Sequence, residues 1–275
     1  MPKIYMAFPE GKHKVLTMSY DDGREFDRRL ISIFNHYRIK GTFHLNSGLL
    51  GEGDRISGEE AAELYLGHEI SAHTVTHPTI ARCPKELVVR EVLEDRERLE
   101  ALTCYTVRGM SYPNGSYSRE IKEMLPHLGI EYARVVPSTG QFTMPEDLFE
   151  WKPTCHHKEN LLELGRKFLS LNKQQYLYMM YVWGHSYEFE QDDNWEVIEE
   201  FCRLAGGRED IWYATNMEIV DYLSAYRQLK FAASGQFVWN PGAASVWLSV
   251  DSRTVEVKGE SQVFFDNKGD GGGIK

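Results

Sequence analysis

Short apolar runs alternate with helical patterns over residues 14–229, and this alternation constrains the fold more than any other feature of the sequence. The runs that predict strands are residues 15–20, 41–45, 68–72, 107–112, 132–136, 148–153 and 176–183. The helical patterns between and after them cover residues 26–37, 58–66, 85–102, 118–128, 159–171, 195–204 and 216–229. Strands that alternate with helices pair in parallel through right-handed crossovers. About seven such units predict an α/β fold in which the sheet closes, or nearly closes, into a barrel.

The pattern changes after residue 230. Residues 236–239, 245–250, 254–257 and 262–265 alternate apolar and polar positions and are separated by turn sequences, which predicts a meander of short antiparallel strands. We therefore expect a barrel domain at 1–230 and a small C-terminal β appendage at 231–266. The glycine-rich residues 267–275 are expected to form a disordered tail.

Composition excludes several classes of function. The chain of 275 residues has a net charge of −10 and a pI near 5.5, so it lacks the basic surface that nucleic acids require. No apolar run is long enough to span a membrane. The first eleven residues lack the apolar segment of a signal peptide, so we expect a cytoplasmic protein, or a secreted one if a signal has been removed. The oligomeric state stays open.

Two motifs supply the parts of a catalytic metal site. Residues 17–23 read Thr-Met-Ser-Tyr-Asp-Asp-Gly and end a predicted strand with Asp21 and Asp22, while His73 and His77 stand four positions apart after a later strand. Two imidazoles and a carboxylate suit one divalent metal ion, with zinc as the default. Neighbouring side chains in extended chain point in different directions. If Asp22 turns towards a metal, Asp21 can face the water beside it.

The candidate residues also follow different predicted strands at the same end. Asp21 and Asp22 follow the first, the two histidines the third, and Asn114 and His185 later strands. In β/α barrels the catalytic face is the carboxyl end of the strands. This placement predicts one shared site.

These residues resemble a known family. Residues 17–23 are similar to the Thr-Phe-Asp-Asp-Gly motif of polysaccharide deacetylases, the NodB-homology domain of carbohydrate esterases. Gly-Thr-Phe at 41–43 resembles that family's second strand, and residues 73–77 match its His-Ser/Thr-x-x-His motif. Residues 182–185 resemble its late motif around a histidine. The resemblance covers about 15–229 and implies a distorted barrel of seven or eight β/α units.

The resemblance also implies a role for each site residue. Asp21 would be the general base, and His185 the general acid that protonates the leaving group. The metal ligands would be Asp22, His73 and His77. The family's third motif, Arg-x-Pro-Tyr-Gly, is altered to Ser-Tyr-Pro-Asn-Gly at 111–115.

The altered motif removes the arginine that orients the base in the family. Ser111 occupies its position, and Arg108 lies three residues earlier. Asn114 stands where the family has a tyrosine whose backbone N–H stabilises the oxyanion, a role that does not need the tyrosine side chain. Residues expected to contact the sugar are Tyr112, Trp151, Trp183 and His156.

The sequence therefore predicts a metal-dependent deacetylase that hydrolyses an N-acetyl or O-acetyl group of an oligo- or polysaccharide. Two alternatives stay open. One is a C–N hydrolase of a small amide or ureide on the same fold, and the other is a carbohydrate-binding relative without catalysis. Retention of an unpaired carboxylate, Asp21, beside three metal ligands counts against a pure binder.

Overall fold

The structure, a computed structural model, describes residues 2–265, so the tail predicted at 267–275 lies outside the described residues. The strands are β1 (Ile4–Ala7), β2 (Lys14–Asp21), β3 (Gly41–Leu45), β4 (Glu69–Ala72), β5 (Gly109–Ser111), β6 (Tyr132–Arg134), β7 (Cys155–His156), β8 (Tyr178–Gly184), β9 (Ile211–Tyr213), β10 (Lys230–Phe231), β11 (Phe237–Asn240), β12 (Val246–Val250), β13 (Arg253–Val257) and β14 (Ser261–Phe264). The helices are α1 (Asp27–His36), α2 (Gly58–Leu64), α3 (Lys85–Thr103), α4 (Arg119–Met124), α5 (Leu161–Ser170), α6 (Tyr187–Gln191), α7 (Trp195–Ala205) and α8 (Asn216–Gln228). Within residues 2–265, no helix has the length and apolarity needed to cross a membrane.

The main sheet is parallel and strongly curled. Its strands follow the order β6-β5-β4-β3-β2-β8-β7, and β9 pairs with the first half of β2 on the side where β3 pairs with the second half. Backbone hydrogen bonds join Trp151 to Ala133 and Val135, so the segment that leads into β7 also reaches β6. The predicted fold class, a distorted β/α barrel with a small C-terminal β appendage, is confirmed.

The two faces of β2 bury different kinds of side chain. Leu16, Met18 and Tyr20 belong to the large apolar cluster that also takes in the apolar faces of the surrounding helices. The alternate residues Thr17, Ser19 and Asp21 are equally buried but face the barrel interior, because side chains alternate along a strand. The interior of the barrel therefore accommodates polar groups, and each needs a hydrogen-bond partner there.

Helix α3 shows how the sequence pattern sets a buried stripe. Val88, Val92 and Leu99 are buried at helical spacing, and the helix ends where Cys104 adopts a left-handed conformation with φ 58°. Asp95 occupies the same stripe and is also fully buried. A carboxylate at a core position is costly unless it is hydrogen-bonded, so Asp95 must serve a structural or functional purpose.

One predicted strand is wrong. Residues 148–150 form a 3-10 turn, and the strand of this unit is the shorter β7 further along. The Asp147 side chain causes the difference, because its Oδ1 accepts a hydrogen bond from the Phe149 backbone N–H at 2.8 Å. Short polar side chains that bond to nearby backbone in this way compete with extended structure.

The C-terminal strands do not form a single meander. They are divided between two antiparallel sheets, β1-β12-β13 and β10-β11-β14. The N-terminal strand β1, which the sequence pattern did not predict, pairs along its whole length with β12. The boundary at residue 230 stays a prediction, since the first strand of the chain shares a sheet with the appendage.

Gly109→Ala tests the packing inside the barrel. A Cβ at this position would overlap the Tyr132 ring, whose hydroxyl donates to Glu69 Oε1 at 2.7 Å and lies 3.0 Å from Ser71 Oγ. We expect a loss of about 1–3 kcal/mol in the free energy of unfolding, because an overpacked core must distort. Denaturant titration measures the loss.

Gly58→Ala is the matched control, since a Cβ there meets only ordinary contacts with Leu102. It should be neutral or should stabilise by about 0.4–1 kcal/mol. Equal stability of the two variants would show that Tyr132 has room to move.

Candidate active site

The carboxyl end of β2 separates the two neighbouring aspartates. Asp21 is the last residue of the strand and keeps the inward direction of Ser19. Asp22 has a left-handed backbone with φ 79°, and its N–H donates to the His44 carbonyl at 3.0 Å. This turn directs the Asp22 side chain towards the loop that carries His73 and His77.

Asp22, His73 and His77 form a cluster with the spacing of metal ligands. Asp22 Oδ1 lies 3.9 Å from His73 Nε2 and 3.7 Å from His77 Nε2, and the ligand atoms of all three residues are within 4.8 Å of one another. Within residues 2–265, the buried Asp22 Oδ1 has no hydrogen-bond partner. A buried carboxylate oxygen without a partner fits a divalent cation, so these residues suit the predicted metal.

His73 is oriented from both sides. Its Nδ1 lies 2.7 Å from Ser111 Oγ and 2.9 Å from the Ser111 carbonyl. Because a carbonyl oxygen can only accept, we assign the ring proton to Nδ1, which leaves Nε2 unprotonated towards Asp22. The His73 backbone N–H donates to Asp95 Oδ2 at 2.9 Å. The buried carboxyl group of α3 therefore helps to hold the His73 backbone in place. Burial lowers the pKa of His73 to about 4, so the ring is in the neutral form that binds metals.

Asp21 forms a buried ion pair with a residue that the sequence motifs did not identify. Arg134, fully buried at the end of β6, donates from Nη2 to Asp21 Oδ2, and Ser111 Oγ donates to Asp21 Oδ1 at 3.1 Å. Ser111 and Arg134 are direct register partners in the β5–β6 ladder. The arginine missing from the third motif is therefore replaced by one at the same height on the neighbouring strand.

The ion pair fixes the charge of the carboxylate. Burial alone raises the pKa of Asp21, but the guanidinium of Arg134 and the nearby His73 lower it well below its usual value. Asp21 is thus ionised at neutral pH although it is buried. Arg108, by contrast, donates to Glu131 and Asp221, away from the site.

His185 is paired with a carboxylate from α6. Its Nδ1 lies 3.2 Å from Glu188 Oε2, and its backbone N–H donates to the same oxygen at 3.1 Å. Burial alone lowers the pKa of His185, but the hydrogen bond to Glu188 and the charges of Asp21 and Asp22 raise it overall. The ring therefore keeps its proton to a higher pH than an ordinary histidine. No sequence motif identifies Glu188, which follows His185 by three positions on a short helix.

The remaining predicted residues are placed differently. Asn114 is exposed in a 3-10 turn with φ 56°, and its oxyanion role stays a prediction. Tyr112 and Trp151 are 1% and 0% exposed, so the prediction that they contact substrate does not fit their burial. Trp183 lies under the Arg134 guanidinium, 4.3 Å from ring centroid to Cζ, and His156 is partly exposed beside it.

Comparisons with known proteins bear on the family to which this chain is similar. Residues 9–133 match the family model described as polysaccharide deacetylase. The resemblance to the polysaccharide deacetylases is confirmed. The match includes Asp21, Asp22, His73, His77 and the altered third motif.

Two curated relatives carry the name chitooligosaccharide deacetylase. The protein from Sinorhizobium fredii is 24% identical over 131 residues, which cover 47% of this chain and 54% of that protein. The protein from Rhizobium leguminosarum bv. phaseoli is 24% identical over 124 residues, covering 45% of this chain and 48% of that protein. The chain thus spans about half the length of these relatives.

Solved structures support the fold alone. A structure assigned to a polysaccharide deacetylase from Mycobacterium smegmatis aligns with a TM-score of 0.59 at 16% identity and covers 82% of this chain and 96% of that one. A CE4 family pseudoenzyme from Bacillus anthracis aligns with a TM-score of 0.50 at 16% identity, covering 79% of this chain and 68% of that one.

Arg134→Gln tests the buried ion pair. The variant leaves Asp21 buried without its cation, which should cost about 3–5 kcal/mol of unfolding free energy at pH 7. The pKa of Asp21 is lowered in the wild-type fold, so the ionised carboxylate stabilises the fold at every pH above the usual pKa range of aspartate. In the variant, burial raises that pKa and protonation favours the fold. The stability gap should therefore narrow as the pH falls from 7 to about 4, as measured by denaturant titration of metal-free protein.

Arg108→Gln is the control because it removes a partly exposed cation paired with Asp221 and Glu131. It should lower the unfolding free energy by less than about 1 kcal/mol, and this difference from the wild type should not shrink at acidic pH. If Arg134→Gln lost as little unfolding free energy as Arg108→Gln at every pH, the result would contradict a buried ion pair between Asp21 and Arg134.

Proposed function

We propose that the chain is a metal-dependent hydrolase that removes the acetyl group from an N-acetylated amino sugar in an oligosaccharide. The observation that carries the proposal is the difference in surroundings between Asp21 and Asp22. The unpartnered Oδ1 of Asp22 faces the two histidines, while Asp21 beside it is held ionised by Arg134. One carboxylate is thus available to a cation and the other to a proton.

A divalent ion bound by Asp22, His73 and His77 would acidify a water molecule and polarise the acyl carbonyl. Zinc is the ion we propose, because imidazole nitrogen and carboxylate oxygen are its usual ligands and three protein ligands leave a position open. Other divalent ions share this donor set to differing degrees. The names of the curated relatives support an acetylated chitooligosaccharide as the first substrate class to test.

Asp21 acts in this proposal as the general base. Its carboxylate is within 3.9 Å of His73 Nε2 and therefore borders the proposed metal position. Arg134 and Ser111 hold its two oxygens, so the carboxylate is oriented before substrate arrives. A base that is ionised and fixed in place can accept the proton of an attacking water without reorganisation.

His185 acts as the general acid, with Glu188 as its positioning residue. The hydrogen bond from Nδ1 to Glu188 holds the ring and favours its protonated form. The ring can then give a proton to the amide nitrogen, and the amine departs only after that nitrogen is protonated. The backbone N–H of Asn114 is proposed as the oxyanion donor, by analogy with the family's third motif.

Acetate release from N-acetylated chitooligosaccharides, acetylated xylan and peptidoglycan fragments tests the function. We expect release from the chitooligosaccharides, loss after chelation, and recovery when zinc is restored. Asp21→Asn should lower kcat by about 10²–10⁴-fold, the usual contribution of a general base, and should retain the metal of the wild type. Asp22→Asn should bind one equivalent of metal less, measured by elemental analysis.

Each contrary result has a definite meaning. A metal-free Asp21→Asn together with a metal-replete Asp22→Asn would exchange the two roles. Metal-loaded protein that releases no acetate from any of the three substrates would overturn the deacetylase proposal. Ammonia release from small amides or ureides would favour the C–N hydrolase instead.

His185→Ala tests the acid through the leaving group. An amide nitrogen needs a proton to depart, whereas a nitrophenolate does not. The variant should therefore lose far more kcat/KM on an N-acetyl sugar than on nitrophenyl acetate, and the ratio of the two losses gives the difference in transition-state free energy. Equal losses on both substrates would mean that His185 positions the substrate or supports the fold.

A further inference from the structure

A second cluster of metal-ligand atoms lies outside the triad of Asp22, His73 and His77. It comprises His156 and His157 at the end of β7 and Glu188 in α6. His156 Nε2 is 3.1 Å and His157 Nε2 is 3.4 Å from Glu188 Oε2. Ligands of a four-coordinate ion with bonds of about 2.0–2.1 Å are about 3.3 Å apart. Both histidine nitrogens already stand at about this separation from the carboxylate oxygen, and the ligand atoms of all three residues lie within 4.8 Å of one another.

His157 supplies an independent reason to expect a ligand here. The residue is 3% exposed, and neither of its ring nitrogens has a hydrogen-bond partner within residues 2–265. Its contact with Glu188 meets the distance of an ion pair but lacks the geometry of a hydrogen bond. Buried polar groups in native proteins are normally satisfied. A cation at Nε2 would satisfy this one.

The surroundings hold the His157 ring in a fixed orientation. The ring stacks on Phe189 at 4.1 Å and on Tyr20 at 5.8 Å between centroids. It also lies against Gly184, where any Cβ would overlap it. Burial lowers the pKa of His157 to about 3, so the imidazole is neutral and its lone pair is available to a metal.

Charge at the cluster suits a cation with one carboxylate ligand. Burial raises the pKa of Glu188, but hydrogen bonds from His156 and His185 lower it overall, so the group is anionic. The Lys158 ammonium lies 3.2 Å from the other carboxylate oxygen and is itself paired with Asp192 at 2.7 Å. Glu188 Oε2 therefore remains the oxygen that faces the two histidines.

Two sets of contacts oppose metal binding. Glu188 Oε2 already accepts from the His185 backbone N–H at 3.1 Å and lies 3.2 Å from His185 Nδ1. The backbone N–H of Lys158 donates to His156 Nδ1 at 3.2 Å. Ligation through Nε2 requires the proton on Nδ1, so this hydrogen bond would be lost. The gain at the unpartnered His157 and the anionic Glu188 must exceed that cost.

We propose that His156, His157 and Glu188 form a second site for a divalent transition-metal ion of the zinc class. It shares no residue with the triad and goes beyond the single ion that the sequence predicts. It gives His156 a role different from the sugar contact predicted from the sequence. Because His185 donates to the same oxygen of Glu188, an ion at this site competes with the contact that positions the proposed acid.

Metal stoichiometry tests the second site without any assay of activity. Metal-free protein is titrated with Zn²⁺ and with Co²⁺, and the bound metal is counted by elemental analysis after exchange into metal-free buffer. We expect two equivalents for the wild type and one for His157→Phe. Phenylalanine keeps the packing against Phe189 and removes the ligand. Glu188→Gln should lose the same equivalent of metal. The same loss in two different variants would argue against misfolding of one variant as its cause.

His77→Ala separates this proposal from the function proposed above. It should keep one equivalent, bound at the second site, and the double variant with His157→Phe should keep none. His36→Gln, a change at an exposed histidine, should bind two equivalents like the wild type. A wild type whose single equivalent is lost in His77→Ala and kept in His157→Phe, or a His157→Phe variant that still binds two equivalents, would overturn the second site. Either result would leave the triad unaffected.

Discussion

The buried ion pair between Asp21 and Arg134 is the interaction on which the site depends. Removing two charges from water is costly, and attraction between them repays the cost only when geometry and further hydrogen bonds are favourable. Ser111 supplies one such bond to Asp21, and Arg134 also stacks on Trp183. The Nε and Nη1 atoms of Arg134 have no protein partner within residues 2–265, so the single carboxylate and the indole face must hold the guanidinium. The pair forms only because the sheet curls far enough to bring β6 opposite the end of β2.

Most residues of the candidate site are predictable from the sequence, and Arg134 is an exception. The period of two along β2 and the spacing of His73 and His77 were sufficient to propose the ligand set, because each motif follows a strand at the same end of the barrel. The third motif does not identify Arg134, because the arginine that lies near this motif in the chain is Arg108. The actual replacement is nearby across a β ladder, as the register partner of Ser111. A charged residue among buried neighbours in a short strand was the available signal, since arginine is almost never fully buried unless paired.

The errors in the predicted fold have two origins, one non-local and one local. Most strands and helices were predicted because hydrophobic periodicity is local information. The pairing of β1 with β12 joins residues near the two ends of the chain, and no local pattern reports such a partner. The strand predicted at 148–153 failed for a local reason, the cap that Asp147 provides for a turn. No motif points to Glu188, because its proposed role depends on the direction of a five-residue helix, α6.

Buried carboxyl groups of this fold show opposing pKa shifts. Burial raises the pKa of Asp27, Glu69 and Asp95 to about 7, so these carboxyl groups take up protons more readily in the folded chain than in the unfolded one. Their burial weakens the fold at neutral pH, and this penalty is relieved as the pH falls from 7 towards their unfolded values of about 4. Asp21 and Glu188 behave in the opposite way, because their lowered pKa values stabilise the fold until the pH falls below about 4. The carboxylates of the proposed base, Asp21, and of the residue that positions the proposed acid, Glu188, are thus the ones that keep their charge across the neutral range. Asp95, which positions His73 through the backbone, contributes mainly hydrogen-bond acceptors, and a carboxyl group retains acceptor capacity whether or not it is protonated.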